Sequence, residues 1–472
     1  MKPALKPIPW TTAQILEATG GDLLCGNLDR SFAAVCIDSR KICVNDLFVA
    51  IKGETHDGHN FAENVTAAGV SGLVIAKHNA DGPAGLLCRE KGLNCIAVTD
   101  TVKALGDLAA FQRKRCKASV VAITGSNGKT STRTMTAGVV ARCFNTLSTT
   151  GNLNNEIGLP LTLLDLASDH CWAVVELGMN HPGEIARLAG ICSPDIGVIT
   201  NIGPAHLEGL GSLDAVMQAK GELLEKIKPG GTAILNADDA RSLKLAGQTS
   251  TQVLLFGLSN DAAIRGRSVK KKGMGLSFTL VLPTGSIPID LETPGSFMVS
   301  NALAAAAVGH LVGASAKDIK AGLEGFKPVH GRLNIIRTRK GIRIIDDTYN
   351  ANPGSMSAAI ATLRSLKASS RGILIAGDML ELGDHSEAMH REIGALAARS
   401  EIAKLYATGK FAQAVAAGAR DAGMAPGDIM TGTQDEIFEH ITGRINPDDW
   451  VLIKGSRSMA MEKIVERLKN NP

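Results

Sequence analysis

The sequence predicts an α/β protein of three domains, and three observations carry that reading. The chain has 472 residues, 44% of them hydrophobic and with 51 glycines besides, which is more than one core of about 100–200 residues organises. From residue 119 onward, short continuous apolar runs alternate with helical stretches, the pattern of a mostly parallel sheet covered on both faces. The alternation changes once, over 252–293, to short β-runs separated by Gly and Pro, and a second βα series begins near 328. Boundaries near 117 and 328 follow, giving domains at 1–117, 118–327 and 328–472.

The small first domain mixes β-like runs at 47–51, 72–75 and 94–98 with polar turns. It closes on a basic helical stretch ending Arg113-Lys114-Arg115-Cys116-Lys117. The central domain has strands at 120–123, 172–175, 196–199 and 232–235, and the runs of 252–293 read as an antiparallel flap on it. Arg265, Arg267, Lys270, Lys271 and Lys272 read as a solvated hairpin edge, where charge opposes pairing with other chains. Strands at 341–346, 372–376, 403–407 and 450–453 make the last domain.

Charge and cysteine content narrow the function. The balance of 50 Lys+Arg against 46 Asp+Glu, +4, gives no reason to expect a nucleic-acid partner. No membrane span is expected, because residues 1–7 lack an apolar leader core and the longest apolar run, 302–314, is broken by His310 and is too short. Nine cysteines without a Cys-x-x-Cys pair suggest neither a disulfide framework nor a zinc site and fit a cytoplasmic protein. A monomer is expected.

The strongest chemical signal is Val120-Val121-Ala122-Ile123-Thr124-Gly125-Ser126-Asn127-Gly128-Lys129-Thr130-Ser131, an apolar strand entering a glycine-rich turn and then a helix. In such a loop the backbone N–H groups close around phosphate oxygens, the helix start adds partial positive charge, a lysine bridges phosphates and a hydroxyl holds Mg²⁺. Gly125, Ser126, Asn127, Gly128, Lys129, Thr130 and Ser131 are therefore candidates for binding ATP. The loop is a shortened Gly-x-x-Gly-Lys-Thr, since Ile123 stands where the longer pattern has its first glycine.

Other candidates follow strands of the same sheet, at the edge where open α/β sheets bind ligands. Glu176 suits a metal held by Thr130, but alone it fits a capping or ion-paired glutamate equally well. His206 sits in the Gly/Pro loop 199–209, where a ligand role is the better of its two readings. Lys220, on a helix starting near Ser212, reads by itself as a solvated helix lysine, and Asn301 as a helix cap. The acids of Asp346-Asp347-Thr348-Tyr349-Asn350-Ala351-Asn352-Pro353 follow another strand, placed to hydrogen-bond ribose hydroxyls.

In order along the chain, Thr124 to Thr130, the string 151–160 (Gly-Asn-Leu-Asn-Asn-Glu-Ile-Gly-Leu-Pro), Glu176, Ala205-His206-Leu207-Glu208, Lys220, Asn301-Ala302-Leu303, Gly331-Arg332-Leu333 and Asp346-Asp347 resemble the Mur ligase family. The resemblance covers nearly the whole chain. Within the family, the strings 346–353, 377–383 (Gly-Asp-Met-Leu-Glu-Leu-Gly) and 454–457 (Lys-Gly-Ser-Arg) are similar to the branch that joins D-Ala-D-Ala to UDP-MurNAc-tripeptide. The Asp-Asn-Pro-Arg string expected of the branch adding the third amino acid is absent.

The resemblance implies an N-terminal UDP-sugar domain, a central P-loop ATPase domain and a C-terminal Rossmann-like domain that closes over the site. It implies ATP-dependent amide ligation through an acyl phosphate. Lys129 and the 125–128 backbone would hold phosphates, Thr130 and Glu176 one Mg²⁺, and His206 a second; the lysine matching Lys220 is typically carbamylated in the family. Asn301 would contact adenine, Asp347 the ribose and Arg332 the phosphates. Asp38, Ser39 and Arg40 resemble the uridine-nucleotide site; Asn155 would face the donor peptide, and Asn350 and Asn352 the incoming dipeptide. The family often has His-Asn shortly before the position of Asn301, where Phe297-Met298 stands here. Two other readings remain: a different amide ligase of the superfamily, such as a folylpolyglutamate synthetase-like enzyme, and a non-catalytic nucleotide-binding regulator.

Overall fold

The computed structural model describes residues 8–470. Residues 1–7, read above as lacking a leader core, lie outside that range. No helix among the described residues is long and apolar enough to cross a membrane, and all nine cysteines are free thiols.

The strands assemble into three main sheets. Five form the N-terminal sheet, in the order Asp22–Cys25, Asn94–Val98, Gly72–Ala76, Leu47–Val49 and Val35–Cys36, parallel except at the first pair. The central sheet has nine strands. It is parallel from Thr146–Ser148 through Trp172–Glu176, Ser119–Thr124, Ile196–Ile199, Thr232–Asn236 and Gln252–Gly257 to Ile264–Lys272. The antiparallel strands Gly275–Leu282 and Gly285–Leu291 then complete it, so the expected flap continues the sheet itself. Ile264–Lys272 pairs with its parallel neighbour only at Ile264 and Arg265, and the basic residues beyond run on as an exposed edge. The C-terminal sheet has six strands, antiparallel at Asn334–Arg337 and parallel from Arg343–Asp346 through Trp450–Lys454, Gly372–Ala376 and Lys404–Ala407 to Ile429–Thr431.

The central strands read as continuous apolar runs because both of their faces are covered. Val120, Ala122, Val175 and Ile199 point into one hydrophobic cluster, and Val121, Ile123, Val174 and Val198 into the other, where the alanine-rich helix Phe297–Leu311 lies against Lys129–Val140. The first cluster crosses the domain boundary expected near 117. Helix Thr101–Arg115, started by the Asp100 carboxylate accepting from the N–H groups of Val102 and Lys103, packs against both Gly158–Leu164 and Glu184–Cys192. Its Leu105 and Leu108 are fully buried, and each contributes roughly 1.5–3 kcal/mol. The N-terminal sheet is thus fixed to the central sheet by a shared interior, while the C-terminal sheet has interiors of its own.

Candidate active site

The expected phosphate loop lies between strand Ser119–Thr124 and helix Lys129–Val140. Two positions require glycine. Gly125 has φ 147° and a methyl there would come within 1.9 Å of Thr200 Oγ1; Gly128 has φ 81° and a methyl would meet Asn301 Oδ1 at 2.3 Å. The loop is fastened to the segment 200–203. Asn127 N–H donates to Asn201 Oδ1 (3.0 Å), its carbonyl accepts from Thr200 Oγ1 (2.6 Å) and Asn201 Nδ2 (3.0 Å), and Ser126 Oγ donates to the Gly203 carbonyl (2.9 Å). Lys129 arches back to donate from Nζ to the Gly125 carbonyl (2.7 Å), and Thr130 and Ser131 are buried in the first helical turn.

Beside the loop, Glu176 ends its strand almost fully buried. Its Oε1 accepts from Asn154 Nδ2 (2.9 Å), its backbone N–H donates to Thr149 Oγ1 (3.1 Å), and Arg133 Nε stands 3.9 Å from Oε2. Oε2 itself has no hydrogen-bond partner. Glu176 thus faces Arg133 at long range and keeps one buried oxygen open, which both of its readings accommodate. Lys220 corrects the expectation of a solvated helix lysine: it is 1% exposed, and burial, then the neighbouring Lys129 charge, press its amine well below the ordinary lysine range. Lys129 is also pressed down by burial, with Glu176 opposing and Arg332 adding to the effect. Arg332 stacks over the Tyr349 ring at 4.2 Å and leaves its buried Nε unpartnered.

The C-terminal domain reaches both this loop and the segment 206–208 beside it. Asn352 Nδ2 donates to Asn127 Oδ1 (2.9 Å), and His206 Nδ1 lies 2.6 Å from Glu381 Oε2. That hydrogen bond holds the Glu381 carboxyl below the usual glutamate range. The carboxamide of Asn352 is thus engaged by the phosphate loop and by the start of its own helix, where Oδ1 accepts from Ser355 N–H (2.8 Å).

The remaining candidates have these surroundings. Asn301 is buried, set against Gly128, with Nδ2 donating to Met298 Sδ (3.5 Å), so Met298 supplies a soft acceptor where the family often has polar residues. Asp347 accepts from Leu333 N–H (3.1 Å) and pairs with Lys454 Nζ (2.6 Å), which also donates to the Asn350 carbonyl (2.8 Å); Asn350 Oδ1 accepts from Ala351 N–H (2.9 Å). Asn155 caps Gly158–Leu164, accepting from Gly158 N–H (2.8 Å). In the N-terminal domain Arg40 grips Asp38 with two guanidinium nitrogens (2.8 and 2.9 Å), which lowers the Asp38 carboxyl to about 2, and Ser39 lies in the turn between them.

Asn154, Arg133, Thr200, Asn201, Glu381 and Lys454 join the cluster without having been singled out. All but Arg133 lie in motif strings or loops quoted from the sequence, which is the signal that marked their neighbourhood. A cavity of about 830 Å³ at Thr408, Thr431, Lys463 and Arg467 lies apart from the loop. The helix starts beside it are already capped by Asp378 and Thr433, so it offers an anion little.

Comparison with known proteins decides the lineage. The chain matches the Mur ligase family catalytic domain over residues 31–113, the Mur ligase middle domain over 123–309, and the Mur ligase glutamate ligase domain over 331–457. It is 39% identical over 468 residues to the UDP-N-acetylmuramoyl-tripeptide–D-alanyl-D-alanine ligase of Escherichia coli (strain K12), covering 98% of each chain. The chain belongs to the Mur ligase family. Among solved Mur ligases, MurF from Acinetobacter baumannii superposes with a TM-score of 0.90 at 34% identity, covering 99% of this chain and 100% of that one. MurF from Thermotoga maritima in complex with ADP superposes with a TM-score of 0.81 at 25% identity, covering 93% and 97%.

Proposed function

We propose that this Mur ligase joins D-Ala-D-Ala to the terminal carboxylate of UDP-MurNAc-tripeptide at the expense of ATP, making UDP-MurNAc-pentapeptide for peptidoglycan synthesis. One observation carries the reading: a phosphate loop is faced by a second domain that touches the loop at Asn127 and the neighbouring segment at His206, so that a nucleotide on the loop is enclosed by groups from both. The full-length likeness to the E. coli ligase supports this branch, and the matched domain at 31–113 favours it over a folylpolyglutamate synthetase-like enzyme.

In this reading the tripeptide carboxylate attacks the γ-phosphorus, ADP leaves, and the resulting acyl phosphate takes the dipeptide amine at its carbonyl carbon. The tetrahedral adduct then expels phosphate and the nitrogen loses a proton. Both steps gather negative charge in one place, which calls for cations and positioning more than for a protein nucleophile. Lys129, the loop amides from Gly125 to Gly128 and Arg332 meet that demand; Asn301 is assigned to the adenine side and Asp347 to the ribose. Asp38, Ser39 and Arg40 are assigned to the uridine nucleotide, Asn155 to the donor peptide and Asn350 to the dipeptide side.

Mg²⁺ fits the groups present. Mg²⁺ is usually bound through substrate phosphates and one or two protein oxygens. Glu176, with its buried unpartnered Oε2, and Thr130 would hold one ion and His206 another. Bound there, Mg²⁺ would neutralise charge on the phosphoryl oxygens. Phosphate release from ATP should require both UDP-MurNAc-tripeptide and D-Ala-D-Ala, with the pentapeptide product seen by mass. Lys129→Ala should abolish it; retained turnover would refute the role of the loop.

A further inference from the structure

The loop after strand Gly372–Ala376 is held from several directions. Gly377 N–H donates to the Lys454 carbonyl (2.8 Å), and the Asp378 carboxylate accepts from the N–H groups of Lys410 (2.7 Å) and Phe411 (3.0 Å). Met379 N–H donates to His390 Nε2 (2.8 Å) and Leu380 N–H to Ser456 Oγ (2.8 Å). Out of this rigid mount comes Glu381, in a left-handed backbone with φ 63°, its side chain half exposed. Its carboxylate crosses the domain interface to His206 Nδ1, 175 residues away in sequence, and its carbonyl accepts from Glu208 N–H (3.0 Å). His206 is left-handed too, with φ 56°. Non-glycine residues in that region are uncommon and cluster where surrounding structure enforces a functional placement; here two of them meet face to face.

We propose that Glu381 is a positioning residue for the ligation: when the C-terminal domain closes, its carboxylate accepts a hydrogen bond from His206 Nδ1–H, fixing ring and tautomer and leaving the Nε2 lone pair free for Mg²⁺ at the phosphate site. The assignment rests on the reading of His206 given above and goes beyond it by making that histidine ready only in the closed enzyme. A carboxylate behind a ligating histidine typically changes affinity or activity 10- to 100-fold. A half-exposed polar contact of this kind contributes little to fold stability, so the effect should fall on turnover and not on melting.

The test uses the full chain and the variants Glu381→Ala, Glu381→Gly and Glu381→Gln. Glycine suits the left-handed backbone, so a loss shared by Ala and Gly belongs to the missing carboxylate. Both should lower kcat by roughly 10- to 100-fold with KM for UDP-MurNAc-tripeptide within about twofold and an unchanged melting temperature, while Gln, which keeps an acceptor for Nδ1–H, should lie between them and wild type. A second readout is independent of turnover. With a non-hydrolysable ATP analogue, Mg²⁺ and UDP-MurNAc-tripeptide bound, the nitrogen spectrum of ¹⁵N-histidine protein, with His206 identified by its loss in His206→Gln, should show the Nδ1–H tautomer in wild type and a mixture in Glu381→Ala. The proposal is overturned if Glu381→Ala or Glu381→Gly keeps wild-type kcat, if Gln is no better than Ala, or if the His206 spectrum is the same in wild type and Glu381→Ala. Should wild type itself release no dipeptide-dependent phosphate, the proposed function fails, and the nitrogen spectrum still decides the contact.

Discussion

Asn352 tests whether the interdomain contact at the phosphate loop matters to nucleotide binding. Its carboxamide does two things: Oδ1 accepts from Ser355 N–H to cap helix Pro353–Lys367, and Nδ2 donates to Asn127 Oδ1 at 2.9 Å. Asn352→Ala removes both, and Asn352→Ser keeps a capping oxygen but cannot reach Asn127. Loss of the cap should cost about 1 kcal/mol, some 2–4 °C in a domain of this size, for Ala and not for Ser. The interdomain hydrogen bond is worth roughly 0.5–1.5 kcal/mol net. If closure is needed to hold ATP, either variant should then raise the KM for ATP by about 2- to 12-fold. The sequence alone suggests a different outcome, because a contact with the dipeptide would move the KM for D-Ala-D-Ala and leave that for ATP unchanged. Steady-state kinetics with each substrate varied in turn, beside a thermal melt, separates the two. An unchanged KM for ATP in Asn352→Ser would refute the closure argument.

Three further perturbations follow from the geometry. Gly128→Ala places a methyl 2.3 Å from Asn301 Oδ1 on a left-handed backbone and should weaken ATP binding more than tenfold; adding Asn301→Ala should recover part of the loss, and calorimetric titration showing no coupling would rule out the clash. His390 accepts from Met379 N–H at Nε2 and donates from Nδ1 to the Ser386 carbonyl, so it is neutral in the fold, and burial lowers its pKa below 6.5 despite Asp378 nearby. The unfolded chain binds the proton first: stability is complete above pH 6.5 and falls as pH drops from there towards the folded pKa, by at most about 1.4 kcal/mol per pH unit. His390→Gln should flatten the change in urea midpoint between pH 7.5 and 5.5, and equal slopes would contradict this. Lys220 is held towards its neutral amine, the form that reacts with carbon dioxide, so stripping bicarbonate should lower ligation and returning it should restore the rate; insensitivity would count against carbamylation.

What was legible in the sequence was what is local. A strand, a glycine turn and a helix are contiguous, so the phosphate loop could be read from a dozen residues, and continuous apolar runs gave the parallel strands. The burial of Lys220 was also within reach: on helix Leu213–Glu225 it stands four residues after Val216 and four before Leu224, on the stripe those residues bury. Asn154 and Asn155 show the limit. Composition cannot tell the two adjacent asparagines apart, yet the backbone turns one to Glu176 and spends the other on a helix cap. The contacts of Asn352 and Glu381 were illegible for a stronger reason, since each partner lies in another domain. The shared interior around helix Thr101–Arg115 was hidden in the same way, because that helix forms locally but is covered by residues some fifty to eighty positions later.

The charges at the loop connect closure to the ligand. Lys129 and Arg133 in the central domain face Glu176, and Arg332, which comes from the C-terminal domain, adds repulsion to both. Glu381, also from the C-terminal domain, offsets part of that repulsion at Lys129 but not at Arg133. Closing the domains therefore brings a cation towards two others in partly buried surroundings where screening is weak. A polyanion placed among them reverses the sign, since each cation gains more from phosphate oxygens than it loses to its neighbours. The same guanidinium that opposes closure on an empty charge balance thus favours it around a triphosphate. Arg332→Ala should for that reason weaken ATP binding more steeply at low salt than at high salt, and a salt-independent loss would mean that the arginine acts by packing on Tyr349 alone.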